Sequence, residues 1–140
     1  MIYILLLNLA ATWFMCGLIW FVQIVHYPLF IYADKSHWVV FHGAHQRKTT
    51  RVVAFPMLVE LSTSLLLPLV YPGEATLVWT ALAANLFIWI LTYLVQIPQH
   101  HKILNAELSI SRLVYSNWSR TLLWSLRSLL LLALVIRLLQ

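Results

Sequence analysis

The sequence predicts an all-α integral membrane protein, a four-transmembrane-helix bundle with a short interfacial helix between the first and second spans. Three observations carry that prediction. The chain of 140 residues is 62% hydrophobic and only 9% charged, where a soluble domain carries roughly a quarter charged residues. Apolar runs at 2–25, 52–71 and 75–98 each reach or exceed the ~20 residues that cross a hydrocarbon core. A fourth run opens near Trp118, so the length holds four spans and short loops in one domain, 1–140.

The first run lacks a basic leader and a small-residue cleavage pattern, and reads as a retained span rather than a signal peptide. Its Cys16 is the single cysteine, which excludes a disulfide within the chain. Beyond it, Ser36 is placed to cap a short helix whose Trp38, Phe41, His42 and His45 recur at i, i+3, i+4 and i+7. Arg47, Lys48 and Arg51 follow, as expected where a helix lies on the membrane surface before the chain turns inward.

The second run carries one charge, Glu60, with Pro56 a turn earlier to free a backbone carbonyl. The third ends on Gln96-Ile97-Pro98. Val22-Gln23-Ile24 and Val95-Gln96-Ile97 lie 73 residues apart, as do Arg47 and Arg120, a faint echo of two duplicated hairpins. In the fourth span Asn117, Arg120, Trp124, Arg127 and Ser128 share one side by the 3.6-residue period. The tryptophans, including Trp13, Trp20, Trp79, Trp89 and Trp118, suit an interfacial belt or an apolar pocket.

The net charge of +5 is a matter of topology. Lys35, Arg47, Lys48, Arg51, Lys102, Arg112 and Arg120 flank two loops on one face, while the turn Tyr71-Pro72-Gly73-Glu74 opposite carries no cation. The positive-inside rule makes that basic face cytoplasmic, with both termini outside and Arg137 snorkelling to the far interface. A bacterial inner membrane is the expected location. No basic-aromatic platform stands apart from these flanks, so nucleic acid is not an expected partner.

All six histidines, His26, His37, His42, His45, His100 and His101, fall at or near the ends of spans on that same face. Neutral imidazoles ligate metals at ~2 Å, and i, i+3 spacing puts His42 and His45 on one side of a helix. With His26 and His100 or His101 they form a candidate ligand set for a transition metal, iron first, against the plainer reading of histidines bridging headgroups and water. Glu60 is either a further ligand or proton carrier, or the ion-pair partner of Arg127. Asn117, Arg120 and Arg127 are candidates to hold the polar end of a substrate. Gln23 and Gln96 would bond a ligand histidine or substrate, or tie helices together. Too few membrane carboxylates exclude a four-helix di-iron site, and no phosphate loop, His-Glu-x-x-His or serine nucleophile motif is present.

The segment from Gln96-Ile97-Pro98 to His101, followed by Asn117-Trp118-Ser119-Arg120-Thr121-Leu122-Leu123, resembles the third-to-fourth-span pattern of small bacterial four-span proteins grouped with anthrone oxygenases. The resemblance covers the latter part of the chain. It implies oxygen-dependent oxidation of an aromatic or polycyclic substrate. The expected function is thus a metal-dependent, iron-containing oxidoreductase or oxygenase acting on a hydrophobic, lipid-like or polycyclic molecule. One alternative is a haem b protein with His26 and His100 as axial ligands and Arg51 or Arg120 on the propionates. The other is an ion- or proton-coupled transport or assembly subunit working as a homo-oligomer, with Glu60, Arg127 and the histidines as its path.

Overall fold

The computed structural model describes residues 2–104 and 109–140, and among them the structure is helical with no strand. Four stretches are long and apolar enough to cross a membrane: Ile2–Tyr32, Lys35–Val70, Pro72–Ile103 and Ile110–Leu138. The first comprises α1 (Ile2–Phe21), a π turn (Val22–His26) and a 3₁₀ turn (Pro28–Tyr32); the second is essentially one helix, α2 (Trp38–Val70). The third joins α3 (Ala75–Leu91) through a second π turn (Thr92–Gln96) to α4 (Ile97–Leu104), and the fourth is α5 (Ile110–Leu138). α1 packs on α2 and α5, and α3 on α5 and α2, so the spans form a ring in chain order.

The buried positions explain why these helices pair. Along α5 the side chains of Leu113, Asn117, Arg120, Trp124, Arg127, Leu131 and Leu134 are buried, an alternation of four- and three-residue steps. α1 repeats it with Leu5, Asn8, Thr12, Met15 and Ile19, and α3 with Val78, Ala81, Asn85 and Ile88. That spacing keeps one seam facing the neighbours and is the geometry of left-handed bundles. Lipid tails are as apolar as leucine, so close packing and interhelical hydrogen bonds must select the partners.

Polar and apolar layers accordingly alternate along the bundle. Leu5, Leu67, Val78, Leu131 and Leu134 close one end. Beneath them lies a polar layer centred on Glu60 and Arg127, then an apolar layer of Met15, Ile19, Met57, Ile88 and Trp124. Gln23, Gln96 and Asn117 follow, and Tyr27, Phe30, Ile103 and Leu113 pack at the far end. At the first end Arg137 reaches Glu74 in the α2–α3 turn at 3.1 Å.

The expected surface helix between the first two spans is not a separate element. His42 and His45 belong to α2 itself, which runs unbroken from Trp38 through both Pro56 and Pro68. Trp38 bonds the carbonyl of Ile103 at 3.2 Å and packs on Phe30, which draws this stretch against the bundle instead of leaving it on the surface. The cap is Asp34 rather than Ser36: its carboxylate accepts from the Ser36 backbone and hydroxyl at 2.9 Å and lies 2.9 Å from His37 Nδ1. The His37 and Ser36 bonds hold the Asp34 carboxyl below its ordinary range.

Candidate functional site

Two π turns and one long helix deliver the site. In the first, the Tyr27 N–H reaches Val22 O at 3.0 Å, one residue further than an α turn. Such turns insert a residue into the helical phase and recur at functional sites. Both π turns hold a buried glutamine that ties its span to α5. Gln23 Nε2 donates to Val114 O at 3.0 Å, and its Oε1 accepts from Asn117 at 2.9 Å. Gln96 donates to Ser116 at 3.1 Å. Asn117 in turn accepts from Arg120 at 3.2 Å, which makes it a positioning group for that guanidinium.

Four imidazoles from three segments meet at the end of these turns, His26 closing the first of them. His26 Nε2 and His45 Nδ1 are 2.9 Å apart, and His42 Nε2 and His100 Nδ1 are 3.1 Å apart. The Tyr27 hydroxyl lies 2.9 Å from His100 Nε2, and Thr49 Oγ1 is 3.2 Å from His45 Nδ1. The ring centroids of His45 and His100 are 5.8 Å apart, which brings the two pairs side by side. Phe30 sets its edge or face against His26, His42 and His45 at 5.0–5.9 Å. A hydrogen bond between two ring nitrogens needs a lone pair on one and a proton on the other, so each pair stores a transferable proton.

A cavity of about 510 Å³ adjoins this cluster, within the size range of ligand pockets. Its wall is apolar along Leu18, Ile19, Val22, Val53 and Met57 and becomes polar where His26, His45, His100 and Arg120 line it. Phe21, Phe41, Lys48, Val52 and Ile97 are its exposed lining residues, so its mouth is bordered by α1, α2 and α4. Arg120 sits over the Trp124 ring, 5.0 Å from its centroid.

The remaining sequence-derived candidates lie elsewhere. Glu60 is the ion-pair partner of Arg127, not a companion of the imidazoles: it accepts from Arg127 Nη1, from Thr12 at 2.8 Å and from Trp124 Nε1 at 3.2 Å. Arg127 is consumed there as well, donating to Ala81 O at 3.2 Å, Asn8 at 2.8 Å and Ser64. Neither lines the cavity. His101 and Arg51 are exposed and do not line the cavity. Among the described residues no three His, Cys, Asp or Glu side chains are arranged around one metal ion. Both ring nitrogens of His100 are engaged, with Tyr27 and His42. The apolar layer of Met15, Ile19, Met57 and Ile88 lies between the Glu60 pair and the imidazoles.

Sequence reasoning missed Tyr27, Phe30 and Thr49. The Tyr-Pro step beside His26 was the available signal for the first; the others look like ordinary apolar or loop residues until the rings converge. No family model, curated protein or solved structure matches this chain.

Proposed function

We propose that this chain is a membrane-embedded oxidoreductase or oxygenase whose substrate is a hydrophobic, polycyclic or lipid-like molecule bearing an ionisable hydroxyl, bound in the cavity with that hydroxyl against the imidazoles. The observation that carries the reading is the lining itself: a 510 Å³ apolar chamber whose polar end is made of His26, His45, His100 and Arg120. An imidazole lone pair takes the hydroxyl proton, and the paired ring relays it. The resulting oxyanion is electron-rich, and the buried Arg120 guanidinium stabilises it as charge develops. Dioxygen, which partitions into apolar surroundings, is the acceptor of the two electrons. In the oxidase form it leaves as hydrogen peroxide with the two protons the substrate loses.

Iron belongs to this reading as a cofactor to be tested. Nitrogens 2.9 and 3.1 Å apart match neighbouring ligands on an ion held at ~2.0–2.1 Å, yet the rings as placed face one another in pairs. His26, His42, His45 and His100 would hold the ion after the pairs open, and it would supply activation of dioxygen. By the distribution of cations the imidazole end faces the cytoplasm.

The test is oxidation of a hydroxylated polycyclic arene by purified protein in bilayer discs, under air and under argon, with elemental analysis and an absorption spectrum of the same preparation. Oxygen-dependent product in wild type, lost in His45→Ala, supports the reading. Absence of product from ring and long-chain hydroxyl substrates alike overturns it. Stoichiometric iron without a Soret band would add the metal; a metal-free active preparation would remove it.

A further inference from the structure

The polar end of the cavity is charged as well as hydrogen-bonding. Arg120 is 8% exposed, and a guanidinium keeps its proton even when buried. The described carboxylates are engaged elsewhere: Asp34 with His37, Glu60 with Arg127 and Glu74 with Arg137, while Glu107 lies outside the described residues. What Arg120 has is the Asn117 amide oxygen, the Tyr27 hydroxyl beside it and the face of Trp124, with no carboxylate among the described residues to neutralise it. Among the described residues its Nε is buried with no partner, and so is the Oε1 of Gln96, a second cavity-lining residue only 2% exposed. One unpaired donor on a cation and one unpaired acceptor therefore belong to residues that line the polar end of the chamber, beside His26, His45 and His100.

An uncompensated cation in such a place is costly unless an anion joins it, and guanidinium favours oxyanions that take two parallel N–H bonds. We infer that the cavity binds a lipophilic oxyanion carrying a neighbouring hydroxyl, its anionic oxygen on Arg120, its hydroxyl set between the imidazoles and the Gln96 amide oxygen, and its apolar body along Ile19, Val53 and Met57. This names the substrate class for the reading above and rests on it. A neutral lipid of the same shape would leave both the charge and the amide oxygen unmatched. The exposed Lys48 on the lining gives the anion a first attraction at the mouth.

Binding to the full-length protein in bilayer discs, measured without turnover, tests the inference. The probes are 2-hydroxydodecanoate, dodecanoate, methyl dodecanoate and 1-hydroxy-2-naphthoate. The carboxylates are expected to bind at least tenfold more tightly than the methyl ester, with a further gain for the 2-hydroxyl that vanishes in Gln96→Leu. Arg120→Gln should abolish the preference for the carboxylate, and Arg120→Lys should restore part of it. The naphthoate against the dodecanoates tells whether the body is a ring system or a chain. Should Arg120→Gln fail to fold, Ala44→Trp, which fills the cavity beside His45, must remove carboxylate binding in its place. Equal affinity of ester and carboxylate for wild type overturns the oxyanion site, whatever the oxidation assay gives. Arg120-dependent carboxylate binding in a preparation that oxidises nothing leaves the site standing and removes the oxidoreductase reading.

Discussion

Replacing Glu60 and Arg127 singly and together discriminates a structural ion pair from a working one. Glu60→Leu leaves the Arg127 charge buried at 0% exposure and strips the partners from Thr12 and Trp124. An orphaned buried charge costs about 3–5 kcal/mol, and each lost interhelical bond in a membrane about 0.6 kcal/mol. The single variant should therefore lose about 4–6 kcal/mol. Arg127→Leu orphans the carboxylate and strips Asn8, Ser64 and the Ala81 carbonyl, for a loss of about 5–7 kcal/mol. The double variant has no orphaned charge and loses only the five side bonds, about 3 kcal/mol. It should be more stable than either single variant. Reversible unfolding in mixed micelles, followed by circular dichroism, measures all three; where a single variant does not accumulate, recovery of yield by the second change reads the same sign. A double variant that loses the sum of the two single losses would refute the argument.

Further predictions follow from single sites. Asn85 is buried with both amide atoms unpartnered among the described residues, so Asn85→Leu should raise stability by about 1–2 kcal/mol, read as a higher melting temperature. Gln23→Leu should cost about 1–2 kcal/mol by removing the bridges to Val114, Asn117 and Thr121; a change within ~0.3 kcal/mol would show that α1 and α5 do not depend on it. His101→Ala and Arg51→Ala, both exposed and outside the cavity lining, should leave oxidation within twofold of wild type, whereas His100→Ala should lower it by about a hundredfold or more through loss of an acid-base group.

The four spans were legible because membrane insertion demands long apolar runs, and the polar stripe of α5 because Asn117, Arg120, Trp124 and Arg127 stand out against leucine at helical spacing. The gathering of His26, His42, His45 and His100 was also readable, since chain order and span length put them at one depth. Depth is not distance, however. His101 shares that depth but is exposed and does not line the cavity, and no periodicity distinguishes it from His100 without the π turn that sets the helical phase. Glu60 carried two readings from sequence because an intramembrane carboxylate needs a cation of some kind. The choice fell to Arg127 only when Asn8, Thr12 and Ser64 proved to surround the pair. The surface helix was misplaced because amphipathic spacing at 38–45 fits a helix lying on a membrane as well as one continuing into it; the Trp38 bond to Ile103 decides, and that contact spans 65 residues.

Photo-crosslinking locates the substrate most directly. A hydroxylated, diazirine-bearing amphipath, irradiated with the protein in bilayer discs and mapped by mass spectrometry, should mark lining positions such as Ile19, Val53 and Met57 and lose those adducts in Ala44→Trp. Adducts spread instead over exposed apolar positions such as Leu69, Leu94 and Tyr115, unchanged in that variant, would mean that the chamber takes no such molecule and that the imidazoles act on nothing bound there.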